Sequence, residues 1–402
     1  MTATTAAQPL LDPAPSRALR SAIEVVGRGL DGLTHFGAVL ERGHVPVVTD
    51  SSLPAETRAR VLDAVTARLT TDLGDVTEPL LVVLTSGTTG APRAVIRTLT
   101  SWTSSHRMVD TAFGLHPDDV IWAPGALSST LTLFAAHHAH TTGRRAVLSG
   151  PWHGVEAALA EGAGHATVIQ AVPPIVADVL DAVDAGRLPR LRVAVVAGAR
   201  VPALLHERAR ALGVRLIEYY GAAELSFVTI EGDPAPGADV GLRSSGRQDG
   251  SGEIWVHSPY VALGYVDGDG PMHLVDGWAT VGDHGRMRPD GTLEVLGRGD
   301  DAVTVGGHTV QVADVEAVLG EVPGVADVVC VGAPHERFGQ RLVAVVRPVP
   351  GADPGPALKA AARAGLPPAA RPTGWVLVTD LPRTPGGKIA RGDVAALLPH
   401  LP

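Results

Sequence analysis

LLVVLTSGTTGAPRAV, residues 80–95, is the stretch that decides how this chain is read. Leu80 to Leu84 form a short, uninterrupted apolar run bounded by turn residues, the pattern of a buried strand. The run breaks into Thr85, Ser86, Gly87, Thr88, Thr89 and Gly90, with Pro92 and Arg93 following. Four hydroxyls and a row of unobstructed backbone N–H groups make a cradle for phosphate oxygens, and Arg93 adds positive charge. The competing reading is an ordinary Ser/Thr/Gly surface turn. The Walker A spacing G-x-x-x-x-G-K-S/T occurs nowhere in the chain, so the cradle is of another kind.

Outward from this stretch the periodicities alternate. Residues 54–69 and 201–212 carry apolar residues at helical spacing, while 166–173, 191–199 and 214–221 read as strands. That alternation predicts an α/β domain with largely parallel strands. After about residue 240 the texture changes to short strands, 252–258 and 292–298, among DG and GD turns, which predicts an antiparallel β-subdomain. Beyond Arg298 a helix over 314–322 and strands over 325–333 and 341–349 predict a smaller α+β domain. The expected organisation is a tail over residues 1–16, a large N-terminal domain over 17–299 and a small mobile C-terminal domain over 300–402.

Composition narrows the function. The chain has 402 residues, 45% of them hydrophobic and 19% charged, so it is globular, and its length allows two to three domains. A net charge of −9 with scattered basic residues argues against nucleic acid as a partner. A single cysteine, Cys330, excludes a disulfide framework or a cysteine-built metal site, and in its apolar strand it reads as a small buried hydrophobe. No apolar run reaches the ~18 residues of a membrane span, and the N-terminus lacks a signal-peptide layout, so a cytoplasmic protein is expected. Of the 33 basic residues only Lys359 and Lys388 are lysines. A chain that writes arginine almost everywhere keeps lysine by chance or by chemical need.

TSGTTGAPR resembles the phosphate-binding signature of the adenylate-forming superfamily, which includes acyl-CoA synthetases, nonribosomal adenylation domains and firefly luciferase. Four further segments match in order. YYGAAE (219–224) is similar to the family's Tyr-Gly-x-Thr-Glu, and DGWATVGD (276–283) to its Gly-Trp-x-x-Thr-Gly-Asp. GRGDDAVTVGGHTVQVADVE (297–316) resembles the hinge segment, and LPRTPGGKIAR (381–391) the segment with the catalytic lysine.

The resemblance implies ATP as co-substrate, Mg²⁺ as cofactor and a small carboxylic acid as substrate. It implies that Thr85 to Gly90 and Arg93 hold phosphate, that Gly198, Ala199, Tyr219, Tyr220, Gly221, Ala222 and Ala223 form the nucleotide wall, and that Tyr220 stacks on adenine. Glu224, with Thr85, would bind Mg²⁺, although a Glu at a strand end is more often simply solvated. Asp283 would accept from the ribose hydroxyls and Arg298 donate to ribose or phosphate. Lys388 would be catalytic, Asp300 the hinge, and Gly306-Gly307 the loop over a pantetheine tunnel.

Departures from the family pattern are Arg93 for lysine, Ala223 and Val281 for threonines, and Ser128 for a histidine common in acyl-CoA ligases. The phosphate loop also starts early, as in compact o-succinylbenzoate–CoA ligases. The implied activity is acyl-AMP formation followed by transfer to CoA. Transfer to a carrier-protein thiol or to an amine is the alternative, and an inactive binding module a further one. The acyl pocket is expected at residues 128–134, 197–200 and 221–227, with small residues at Gly221, Ala222 and Ala223 making room. His137, His138 and His140 have the i, i+3 spacing for a metal pair but lack further ligands, so a histidine cluster without metal is the favoured reading. The oligomeric state stays open.

Overall fold

The computed structural model describes residues 20–27, 29–51, 53–71, 73, 76–85, 93–244, 250–268, 270–298, 302–305, 308–335, 339–384 and 387–398. Its strands fall into four sheets.

The first sheet runs in the order Ala22–Val25, Val45–Val48, Leu80–Thr85, Arg93–Thr98 and Gly264–Tyr265. Its first three strands are parallel, and Leu80–Thr85 then pairs antiparallel with Arg93–Thr98, Thr85 opposite Arg93. The phosphate-loop sequence therefore joins two adjacent strands rather than a strand and a helix.

The second sheet has seven strands. Arg145–Val147, Val120–Trp122, Val168–Ala171, Val193–Val196 and Arg215–Ala222 are parallel neighbours in that order, as the alternation predicts. Ser226–Ile230 and Asp233–Pro234 complete it antiparallel. Two strands are shorter than the apolar runs suggest, for local reasons. Pro173 opens the helix Pro173–Asp184, where its missing N–H costs nothing, and Gly198 adopts φ +87, which ends regular extension.

Helix Thr130–Thr141 is buried nearly all round, with Leu133, Phe134, Ala135, Ala136 and Ala139 in one core with Val83, Val95, Ile121 and Val195. A helix apolar on every side belongs between layers, and this one lies between the first two sheets. The third sheet, Asp239–Ser244, Gly252–His257, His273–Val275, Trp278–Thr280, Asp283–Met287 and Leu293–Arg298, is antiparallel throughout, matching the predicted β-subdomain.

The fourth sheet belongs to the small domain and contains His308–Gln311, Ala302–Val305, Gly339–Pro348, Val325–His335 and Gly374–Leu377. Both of its faces are covered. Cys330, Ala344 and Val346 pack with Val315, Leu319 and Leu358 of helices Val312–Gly320 and Gly355–Gly365. Val329, Val331, Val343 and Val345 face Val394 of helix Arg391–Leu397. The period of two along each strand divides these residues between the faces. The junction between the third and fourth sheets falls at residues 299–301. The boundary at 299/300, the hinge candidate Asp300, the loop candidates Gly306 and Gly307, the Arg298 side chain and Ser86, Gly87, Thr88, Thr89 and Gly90 all lie outside the described residues. Among the described residues no helix is long and apolar enough to cross a membrane.

Candidate active site

The candidate residues gather at the carboxyl ends of the parallel strands, where open α/β sheets place ligands. Gly198 follows Val193–Val196, Tyr220 lies two residues from the end of the adjoining strand, and Ser128 follows Val120–Trp122. A bridge between Leu84 and Ser129 brings the end of the phosphate strand to the same edge. Ser128 is buried there and donates to Asp50 Oδ2 at 3.0 Å.

Glu224 lies in the turn between Arg215–Ala222 and Ser226–Ile230 and is only 3% exposed. It is therefore not the simply solvated strand-end carboxylate of the competing reading. Two residues of the first sheet account for its burial. Tyr265 donates its hydroxyl to Glu224 Oε1 at 2.5 Å, and Arg97 lies fully buried beneath the turn. The Arg97 guanidinium donates to the Ala223 carbonyl and Ser226 Oγ at 2.7 Å each, to Ser101 Oγ at 3.0 Å and to the Tyr260 carbonyl. Its carbon lies 5.3 Å from the Trp102 ring centroid. Burial lowers its pKa to about 9 while the Glu224 charge pulls it up, so it stays protonated at neutral pH. The sequence reading missed both residues. The legible signal was an arginine inside the apolar strand RAVIRT, out of phase with any solvated face.

The donor set suits a hard cation. Tyr265 occupies one oxygen of Glu224, while Oε2 carries no hydrogen bond among the described residues, and Thr85 ends strand Leu80–Thr85 of the first sheet with a hydroxyl. Mg²⁺ bound mainly through phosphates takes only one or two protein oxygens, so the residues fit without a dedicated cage.

Tyr220 donates to Asp283 Oδ2 at 2.7 Å, which ties the adenine candidate to the ribose candidate across two sheets. Gly221 has a different cause from the one expected. A Cβ there would meet the Ser226 carbonyl oxygen at 1.8 Å, so the glycine admits the partner strand of its own hairpin. Behind it the rings of Phe134 and Phe227 stand 5.1 Å apart, and those of Tyr219 and Phe227 4.8 Å. Burial pushes the Tyr219 phenol up. Gly221 itself therefore opens no acyl room, since the Ser226 carbonyl takes the space a Cβ would fill, and the Ala223 carbonyl accepts from Arg97.

Lys388 comes from the small domain. Thr384 and Lys388 exchange hydrogen bonds across a turn, Thr384 N to the Lys388 carbonyl at 2.7 Å and Lys388 N to Thr384 Oγ1 at 3.2 Å. Gly387 is wedged against Val172 and Ile175. The Lys388 side chain crosses Gly198 so closely that a Cβ built on Gly198 would lie 2.4 Å from Cε. The lysine singled out by its rarity thus reaches the edge that holds Tyr220 and Glu224.

Among the described residues no three His, Cys, Asp or Glu side chains are grouped to hold an ion. His137 and His138 are buried, His138 meets Asp110 Oδ1 at 2.9 Å, and the His106 and His137 rings lie 5.6 Å apart. Burial lowers His137 to about 4 and His106 to about 3, so both rings are neutral at physiological pH. Cys330 is fully buried with its thiol pushed up, as a structural hydrophobe should be.

These residues gather where the carboxyl ends of the parallel sheet meet the small domain. Residues 71–266 match the model of the AMP-binding enzymes, and residues 314–388 that of the AMP-binding enzyme C-terminal domain. An uncharacterized acyl–CoA ligase of Bacillus subtilis is 31% identical over 80% of this chain and 69% of its own. A medium/long-chain-fatty-acid–acyl-carrier-protein ligase of Mycobacterium tuberculosis is 27% identical over 89% of this chain and 74% of its own. The structure of an amide bond synthetase from Marinactinospora thermotolerans superposes with a TM-score of 0.77 at 23% identity, covering 96% of this chain and 90% of that one. The chain belongs to the adenylate-forming, AMP-binding enzyme family.

Proposed function

We propose that the protein activates a carboxylic acid with ATP, giving acyl-AMP and pyrophosphate, and then transfers the acyl group to the thiol of CoA. The observation that carries the first half is Lys388 lying across Gly198, at the end of the strand that pairs with the strand holding Tyr220. There its ammonium meets the negative charge that builds as the carboxylate attacks the α-phosphorus in line. Tyr220 and Asp283 position adenine and ribose, and Thr85 and Arg93 flank the phosphates. Mg²⁺, bound by Glu224 and Thr85, would neutralise phosphate charge. Support for CoA as the acceptor comes from the acyl–CoA ligase that is 31% identical to this chain.

The test is pyrophosphate release across aliphatic, aromatic and amino acids, with and without CoA. Release that requires an acid, followed by thioester formation with CoA, supports the reading. Acyl-AMP that accumulates with CoA but is discharged by a carrier-protein thiol or an amine would move the acceptor to those classes.

Glu224→Gln should raise the Mg²⁺ concentration for half-maximal adenylation by at least about tenfold, because an amide is a poorer ligand for a hard dication. An unchanged Mg²⁺ titration would place the metal elsewhere. Gly198→Ala should slow adenylation by about a hundredfold, because the methyl occupies the path of Lys388 and strains a positive φ; a misplacement of about 1 Å costs that much. Thioester formation from supplied acyl-AMP, a step that does not need Lys388 at Gly198, should be far less affected. Equal loss in both steps would show a general distortion of the strand end.

A further inference from the structure

A cavity of about 660 Å³ opens where the small domain meets the large one. The large domain contributes Trp152, Ile175 and Asp178, and the small domain Arg347, Arg383 and Gly387. Ile175 and Asp178 are three residues apart on helix Pro173–Asp184 and share a face. Ile175 supports Gly387, the residue before Lys388. Arg383 lies at the base of the same turn, bridging to Ile389 and donating to the Gly387 carbonyl at 3.2 Å. Across the cleft the Trp152 indole donates to Asp178 Oδ2 at 3.0 Å and fixes that carboxylate in the wall.

Resting on the adenylation reading above, we infer that Asp178 is a positioning residue. Its carboxylate, held by Trp152 and facing Arg383 and Arg347 across the cleft, keeps the small domain where Lys388 reaches Gly198. Asp327 lies between the two guanidiniums, accepting from Arg347 Nε at 2.6 Å and from Arg383 at 2.7 Å, so one carboxylate serves both. Burial raises the Asp178 pKa on balance, with Asp181 adding to it, while the Trp152 hydrogen bond and the charges of Arg347 and Arg383 pull it down. Asp380 also lines the cavity but belongs to the small domain and moves with the arginines. A second contact acts in the same direction, Glu321 Oε1 accepting from the Ala203 N–H at the start of helix Ala203–Ala211 at 3.0 Å. Domain docking of this kind is a population, and a charge pair across the cleft biases it.

The test is Asp178→Asn, which keeps size and an acceptor for Trp152 but removes the charge. The rate of acyl-AMP formation should fall about tenfold with the KM for ATP and acid unchanged. Its dependence on salt should flatten, thioester formation from supplied acyl-AMP should not fall, and Asp178→Glu should recover much of the loss. The arrangement is also read without activity, by spin labels on cysteines replacing exposed Ala185 and Ala364 in the full chain, Cys330 being buried. Asp178→Asn should shift the distance distribution away from the docked separation. An unshifted distribution overturns the inference, as does an equal fall in both half-reactions with a lowered melting temperature. If the parent enzyme released no pyrophosphate with any acid, the adenylation reading would fail, while the distance measurement would still decide the role of Asp178.

Discussion

Lys388→Ala is expected to lower the rate of acyl-AMP formation by about a thousandfold while leaving thioester formation from supplied acyl-AMP largely intact. The asymmetry follows from where the lysine sits. Its side chain crosses Gly198 at the carboxyl edge of the parallel sheet, on a turn pinned by Thr384 and by Gly387 against Ile175. A cation placed there interacts more strongly with the charge of an attacked phosphate than with the ground state, so its loss appears in kcat rather than in KM. Lys388→Arg should recover only a small part, because a planar fork cannot take the place of a compact ammonium beside a glycine with no room for a Cβ. Single-turnover measurement of each half-reaction separates the outcomes. An equal fall in both would make Lys388 a structural residue of the domain contact.

How much of this was legible before any coordinates depends on the kind of signal each residue leaves. Parallel strands at 168–171 and 193–196 announce themselves because burial on both faces demands largely apolar runs. Lys388 was legible by scarcity, one of two lysines falling on a Pro-Gly-Gly turn. The support beneath the site was not. Arg97 and Tyr265 are separated from Glu224 by more than a hundred and by about forty residues of chain, and no local periodicity encodes a hydrogen bond across that distance. Gly221 was misread for the same reason: its sequence neighbours suggest room for a ligand, while the atom that forbids a Cβ is the Ser226 carbonyl on the returning strand. Asp178 and Trp152 were invisible because their role exists only once two domains meet.

The second large effect is expected at Arg97, a residue with no assigned contact to any substrate. Arg97→Met keeps length and apolar bulk but removes every donor from a site with 0% exposure. The Ala223 and Tyr260 carbonyls and the Ser226 hydroxyl would then lose the arginine they accept from, and the Ser101 hydroxyl would keep only its bond to the Thr98 carbonyl. Removing one side of a buried, hydrogen-bonded charge network costs about 3–5 kcal/mol. Against a total stability of about 5–15 kcal/mol, that is a large fraction. The midpoint of urea unfolding should therefore drop sharply with little change in slope. Arg97→Lys separates charge from geometry: an ammonium keeps the attraction to Glu224 but cannot span acceptors on three segments, so its midpoint should lie between those of Met and the parent. The Mg²⁺ titration should report the local consequence, since Ala223 and Glu224 share the turn that Arg97 pins. In the folded fraction of Arg97→Lys the half-maximal Mg²⁺ concentration should rise, because a loosened turn no longer fixes the Glu224 carboxylate. A parent-like urea midpoint for Arg97→Met would mean that the cost of burying the guanidinium cancels what its hydrogen bonds contribute. Arg97 would then be retained for the position of Glu224 alone, and the Mg²⁺ titration would be the only measurement it moves.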